Sequence, residues 1–219
     1  MQRQQALQGA CDALRRSYER GWISTRDGNV SVLLPGQGLW ISPSGVRKQA
    51  LQPEDFIPVA AASAATLAAP RRQPSGELDL HRYIHAGMPA PGCVLHVHAT
   101  HVVAALFAGI RLRELALQFP EVARYTRVGP DVPALAATSA ELAEATRQAF
   151  YAGPALAPHI VGLAQHGVVA VGRDAQEAFE HVERLNHICE IALLAGARAL
   201  VVPGLATAAT GAAEEELHG

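Results

Sequence analysis

The chain has 219 residues, 49% of them hydrophobic and 17% charged, enough apolar material for one well-filled core. Its net charge is -2 with a pI near 6.5, so no polybasic face is available to follow a nucleic-acid backbone. Three scattered cysteines (Cys11, Cys93, Cys189) with no Cys-x-x-Cys pair exclude a disulfide framework and a cysteine zinc site, and fit buried thiols in a reducing cytoplasm. The start Met1-Gln2-Arg3-Gln4-Gln5 does not read as a signal peptide. The Ala-rich runs near 58–70 and 191–210 are interrupted before the roughly 20 strongly apolar residues a bilayer span needs. A cytoplasmic protein with no nucleic-acid or membrane partner is expected. Ten histidines are many for this length and give the first hint of chemistry.

Ala6, Leu7, Ala10, Leu14 and Tyr18 recur at helical spacing and predict a helix over 6–20 that stops at Gly21. Val30, Val32 and Leu34, then Leu39, Trp40 and Ile41, flank Pro35-Gly36-Gln37-Gly38 and predict two strands joined by a turn. A third strand is expected at Asp55–Val59. Pro74-Ser75 opens a helix to about Ala86, with Ser75 as N-cap and Glu77 in its first turn. Gly92–His98 is a β-type run, followed by a short helix over 100–108. Ser139 caps a helix to about Tyr151. His159–Ala164 and Val168–Val171 are strand-like, and Asp174 caps a last helix that runs towards Ala197. The order is a mixed α/β one without repeat or linker. We expect a single domain over 1–219, with the Ala/Thr/Gly/Glu-rich tail 203–219 flexible.

The sharpest local feature is His96-Val97-His98. Alternate residues of a strand share a face, so the two imidazoles can converge on one ion. His166, in Gln165-His166-Gly167 between two strand-like runs, is the best further ligand, with a glycine neighbour to let the backbone turn. Glu77 is the strongest acid/base candidate. Near a metal-polarised carbonyl it can ligate the ion at rest and shuttle a proton when substrate binds. Gly28-Asn29, Ser44-Gly45 and Ser75-Gly76 have the small, N–H-rich character of phosphate sites. The remaining histidines read as structural. His81 and His85, one turn apart, are expected partly exposed, and His181 and His187 solvated or at a subunit contact. His101 fits a helix start or a support to the site.

These segments, in this order, resemble the class II aldolase/adducin family from about Ala6 to Ala197. Asp27-Gly28-Asn29-Val30-Ser31 is similar to its Gly-Asn loop, and Ile41-Ser42-Pro43-Ser44-Gly45 to its Ser/Thr-Pro-Ser-Gly turn. Pro74-Ser75-Gly76-Glu77 is similar to the segment bearing its catalytic glutamate. Leu95-His96-Val97-His98-Ala99 and Gln165-His166-Gly167-Val168 are similar to its ligand segments. The resemblance implies a three-layer α/β/α fold with a central mixed, largely antiparallel sheet. It implies a metal held by His96, His98, His166 and, at rest, Glu77. Zinc is usual, and manganese and cobalt also accept imidazole. It implies a substrate phosphate held by Asn29, Ser44, Gly45, Ser75 and Gly76, and a homotetramer.

On that basis the first expectation is a sugar-phosphate aldolase of the fuculose-phosphate type, cleaving a ketose 1-phosphate to dihydroxyacetone phosphate and an aldehyde. The alternative is a methylthioribulose-1-phosphate dehydratase or a pentulose-phosphate 4-epimerase. A third reading is an adducin-like interaction domain, which the full set of three histidines and a glutamate disfavours. Gly76 departs from the aldolase pattern, which often has a second serine there, and no tyrosine follows Tyr151 to serve as a C-terminal acid. Tyr125 and Glu121 are the substitutes. Glu121 also lies where the related dehydratases carry a catalytic glutamate.

Overall fold

The computed structural model describes residues 3–59, 72–87, 92–151 and 157–196. Six strands, β1 (Asn29–Leu34), β2 (Gly38–Ile41), β3 (Ile57–Val59), β4 (Gly92–Val97), β5 (Ile160–Leu163) and β6 (Gly167–Gly172), form one sheet. Their order is β3-β2-β1-β4-β6-β5, and every neighbouring pair is antiparallel. Among the described residues parallel pairing enters only as isolated bridges, Val128 with Ile160 and Val132 with Leu163.

The helices are α1 (Arg3–Glu19), α2 (Leu78–Gly87), α3 (Thr100–Phe107), α4 (Leu112–Leu117), α5 (Pro120–Tyr125), α6 (Ala140–Tyr151) and α7 (Ala175–Leu194). Strand side chains alternate between faces, and the core divides accordingly. Val30, Val32, Leu95, Val97, Val168 and Ala170 pack with α1, α3 and α7. Val94, Val161, Val169 and Val171 pack with α2 and α6 on the other side. This is the expected three-layer α/β/α arrangement. The three cysteines are buried and free. Among the described residues no helix is long and apolar enough to cross a membrane.

Several boundaries move. A 3-10 turn over Pro53–Asp55 takes up the start of the expected third strand, leaving Ile57–Val59. The strand carrying the His-x-His pair stops at Val97, because its register ends at Asn29↔His96 on one edge and Val97↔Val168 on the other. The helix expected from Ser75 begins at Leu78, and Glu77 precedes it, with its carbonyl accepting the first helical bond from His81 N–H. The short helices α4 and α5 have no counterpart among the expected elements. The last helix ends at Leu194, and the expected tail 203–219 and much of the Ala-rich stretch lie outside the described residues.

The end of α1 matters to the site. Gly21 N–H donates to Tyr18 O and Trp22 N–H to Ser17 O, both at 2.9 Å, closing a Schellman cap with Gly21 in the left-handed region (φ 69°). The cap aims Trp22 inward, its ring centroid 5.1 Å from that of buried Phe179. It also turns Trp22 O towards His98 N–H, 3.1 Å away. A Cβ at Gly21 would meet nothing within 4 Å, so its cost is backbone strain alone. Gly21→Ala is expected to lose about 1–2 kcal/mol of stability in urea unfolding, with the metal-binding capacity kept.

Candidate metal centre

β4 carries His96 at the middle of the sheet, fully buried. Its Nδ1 lies 2.9 Å from Val168 O, which fixes the tautomer with Nδ1 protonated and leaves the Nε2 lone pair facing the site. His98, one residue beyond the strand, brings its Nε2 to 3.2 Å from His96 Nε2. His166 comes from the three-residue turn between β5 and β6. One ring nitrogen from each of the three histidines lies within 4.8 Å of the others. Tetrahedral zinc with bonds of 2.0–2.1 Å places neighbouring nitrogens about 3.3 Å apart, so the His96–His98 spacing fits a shared ion. Glu77 closes the group, with Oε2 3.3 Å from His96 Nε2 and Oε1 3.6 Å from His166 Nε2. Glu77 Oε1 is buried with no hydrogen-bond partner among the described residues, as a ligand or proton-transfer oxygen would be.

The turn works differently from the sequence expectation. Gln165, not Gly167, takes the left-handed conformation (φ 58°). Gly167 is required by proximity, since a Cβ there would lie 2.5 Å from Val97 O and 3.0 Å from His98 Cδ2. Its absent side chain lets β6 press against the β4 end and bring two of the three imidazoles together.

The electrostatics favour neutral His98 and His166 rings beside one carboxylate. Burial, then the neighbouring His96 and His166 rings, push His98 down to about 4. Burial and His96 also lower His166. Burial alone would raise the Glu77 carboxyl. The His96 ring, the Asn29 amide and the His166 and His81 rings outweigh it and hold Glu77 below the ordinary carboxylate value.

Asn29 and Ser31 on β1 share the α2-facing side with His96. Asn29 Nδ2 donates to Glu77 Oε2 at 2.8 Å, and Asn29 Oδ1 contacts His81 Nε2. Ser31 Oγ lies 2.6 Å from His81 Nδ1 and 2.8 Å from His85 Nε2. His81 and His85 are therefore buried (0% and 4% exposed), against the expectation of partial exposure, because Asn29 and Ser31 offer them polar partners under the helix. His181 is also buried, its Nδ1 2.9 Å from Thr126 Oγ1, rather than solvated. His187 is exposed, and His101 near the start of α3 pairs with Asn186.

The expected phosphate loops lie side by side. Ser44 N–H donates to Gln73 O at 2.9 Å and Ser75 N–H to Ser42 O at 3.2 Å, so these two donors hold the loops together. Ser75 Oγ accepts from Glu77 N–H at 3.3 Å. Ser44, Gly45 and Gly76 face outward. A Cβ at Gly76 would lie 3.3 Å from Thr138 Cγ2, so a serine there would be crowded. Sequence reasoning missed Lys48, which is buried and donates to Pro43 O at 2.7 Å, bracing the loop of Ser44. Burial, opposed by Asp27, pushes its ammonium down to about 8. Glu121 and Tyr125 stand exposed on α5. Glu121 lies outside the cluster of His96, His98 and His166.

Residues 8–193 match the Class II Aldolase and Adducin N-terminal domain, and the chain belongs to that family. A protein of Bradyrhizobium sp. named "Methylthioribulose-1-phosphate dehydratase" is 32% identical over 206 residues, covering 83% of this chain and 87% of the relative. One of the same name from Acidiphilium cryptum is 33% identical, covering 80% and 84%. Among solved structures, L-fuculose-1-phosphate aldolase from Thermus thermophilus is 25% identical with a TM-score of 0.73, covering 91% of this chain and 98% of that one. YgbL from Klebsiella pneumoniae has a TM-score of 0.78 at 24% identity, covering 91% and 93%. The fold is that of the class II aldolases, and the protein is an enzyme of that superfamily.

Two outcomes are expected. Gly167→Ala should separate β6 from the β4 end and weaken zinc binding by at least tenfold, measured by competition with a chelating dye; unchanged affinity would refute the close-approach argument. Burial pushes His81 and His85 down to about 3, below the unfolded value of 6.5. The unfolded chain then binds more protons as pH falls, so the stabilisation present above pH 6.5 is lost progressively towards pH 3. At pH 4.5 this amounts to about 2–3 kcal/mol per ring as an upper figure. Urea unfolding of chelator-treated protein at pH 7 and 4.5 checks it, and equal midpoints would count against neutral, buried rings.

Proposed function

We propose that the protein is a metal-dependent lyase that removes water from a small ketose 1-phosphate of the methylthioribulose type. The observation that carries this reading is the pair of relatives named as that dehydratase, each at least 32% identical over four-fifths of the chain. The buried carboxylate beside three converging imidazoles supports it. His96, His98 and His166 would hold the ion, with Glu77 as a resting ligand; zinc is the first choice, manganese or cobalt the alternatives. When bound, a divalent ion supplies positive charge against the oxyanion that develops as a proton is lost beside a carbonyl.

The chain's own residues do the rest. Glu77 takes the proton from the carbon next to the carbonyl through Oε1, the oxygen left without a partner. The hydroxyl on the following carbon leaves as water once it gains a proton. The resulting enol settles as a second carbonyl, so the net change is loss of one water. Ser44, Gly45, Ser75 and Gly76, with Asn29 beside them, hold the phosphate at the mouth of the site. The strongly exposed Phe107, Leu117 and Leu194 support assembly into a homo-oligomer.

The likeness to the Thermus thermophilus aldolase carries the second reading, retro-aldol cleavage of L-fuculose 1-phosphate. Glu121 separates the two, since dehydration has a second proton to deliver, to the departing hydroxyl. Zinc-loaded protein is expected to convert methylthioribulose 1-phosphate to a diketone phosphate, followed by ³¹P and ¹³C NMR. Glu77→Gln should keep its zinc and lose about 10²–10⁴-fold in kcat, and Glu121→Gln should lose dehydration. Release of dihydroxyacetone phosphate from L-fuculose 1-phosphate, with no dehydration and full activity in Glu121→Gln, would install the aldolase reading instead.

A further inference from the structure

Beneath α2 lies a chain of polar side chains that the reaction does not itself consume. Glu77, Asn29, Ser31, His81 and His85 are all buried, none more than 8% exposed. Successive contacts join Glu77 Oε2 to Asn29, Asn29 to His81, His81 to Ser31 and Ser31 to His85.

The direction of every bond follows from the carboxylate. An ionised carboxylate only accepts, so Asn29 must turn its NH₂ to Glu77 and its carbonyl away. The reverse amide would set carbonyl oxygen against carboxylate oxygen at 2.8 Å. His81 Nε2 faces that carbonyl and must donate to it, which leaves Nδ1 of a neutral ring bare. The Ser31 hydroxyl therefore donates to His81 Nδ1, and its oxygen accepts from His85 Nε2–H. His85 Nδ1 ends the chain, buried with no partner among the described residues. Both ends are acceptors and no donor feeds the far end, so the chain does not carry protons to the site. What it does is hold one amide in one orientation.

We propose that His81, kept in a single tautomer by Ser31 and His85, is a positioning residue that locks the Asn29 amide towards Glu77. One carboxylate oxygen is thereby tied down while Oε1 stays available to substrate. Asn29 keeps its second N–H for a substrate oxygen. The proposal rests on the reading of Glu77 as the acid/base of this site.

The first test needs no turnover. Long-range ¹H–¹⁵N spectra of zinc-loaded, ¹⁵N-histidine-labelled protein are expected to show His81 and His85 both protonated at Nε2 and bare at Nδ1 between pH 6 and 8. His81→Gln and His85→Gln assign the signals. A proton on Nδ1 of His81, or on both its nitrogens, overturns the proposal. The second test is kinetic, with methylthioribulose 1-phosphate. His81→Leu should lower kcat about 10–100-fold while KM and zinc content stay within twofold. His81→Gln, whose amide N–H can still reach Asn29, should recover most of the loss. Equal losses in the two variants, or a loss that follows zinc content or melting temperature, would overturn it. If Glu77→Gln retains full activity, the acid/base reading falls, whereas the tautomer spectra still decide the hydrogen-bond chain.

Discussion

β4 is hydrogen-bonded along both edges and buried on both faces, and the rest of the structure is arranged around that enclosure. On one side Cys93, Leu95 and Val97 enter the larger core; on the other, Val94 enters the smaller one, but His96 is a polar ring in a dry place. A buried imidazole with an unmet nitrogen costs about 1–3 kcal/mol. The neighbouring elements accordingly supply what His96 requires. Val168 O accepts from its Nδ1–H, and Glu77, His98 and His166 gather at its Nε2, where a shared cation would meet all four. The site is the set of polar groups that one central histidine makes necessary.

The helix above the sheet meets this demand by matched periods. Four residues of helix rise about 6.0 Å and two residues of strand about 6.6 Å. Glu77, just before α2, and His81 and His85 along it therefore step in near register with Asn29 and Ser31 on β1. Each side chain of one element finds one of the other, and the carboxylate keeps an oxygen free. A cation held by three neutral imidazoles and one carboxylate would retain net positive charge, which suits a site where an oxyanion has to form.

Much of this was legible in the sequence, and the failures have definite causes. His96 and His98 stood out by their alternate spacing in a strand, His166 by its glycine neighbour and Glu77 by its place at a helix start, and the structure brings all four together. The mixed α/β order was legible from the periodic segments, while the three-layer arrangement was implied by the family resemblance. The burial of His81 and His85 was not, since two imidazoles at i, i+4 look the same whether water or a strand lies beneath them. The sign was in β1, where Asn29 and Ser31 alternate with Val30 and Val32, but pairing that polar stripe with α2 requires the tertiary arrangement. Gly167 carries a turn signal in the sequence, but its constraint is a carbonyl from another strand, which no local pattern reveals. Lys48, Thr126 and His181 were unreadable for the same reason, their partners being set by loops and helices brought in from elsewhere.

The alternation on β1 has a bearing on how the chain finds its fold. Both faces of this strand are closed off, one by hydrocarbon and the other by imidazole and amide groups. Sliding it one residue against β4 would drive Asn29 and Ser31 into the hydrocarbon and set valines against three histidines and a carboxylate. An ordinary half-exposed strand loses burial on one side when it slips; here the error is punished on both sides at once. The residues that prepare a carboxylate for chemistry thereby also tell the correct alignment of the central strands from its nearest competitor, before any ion or substrate arrives.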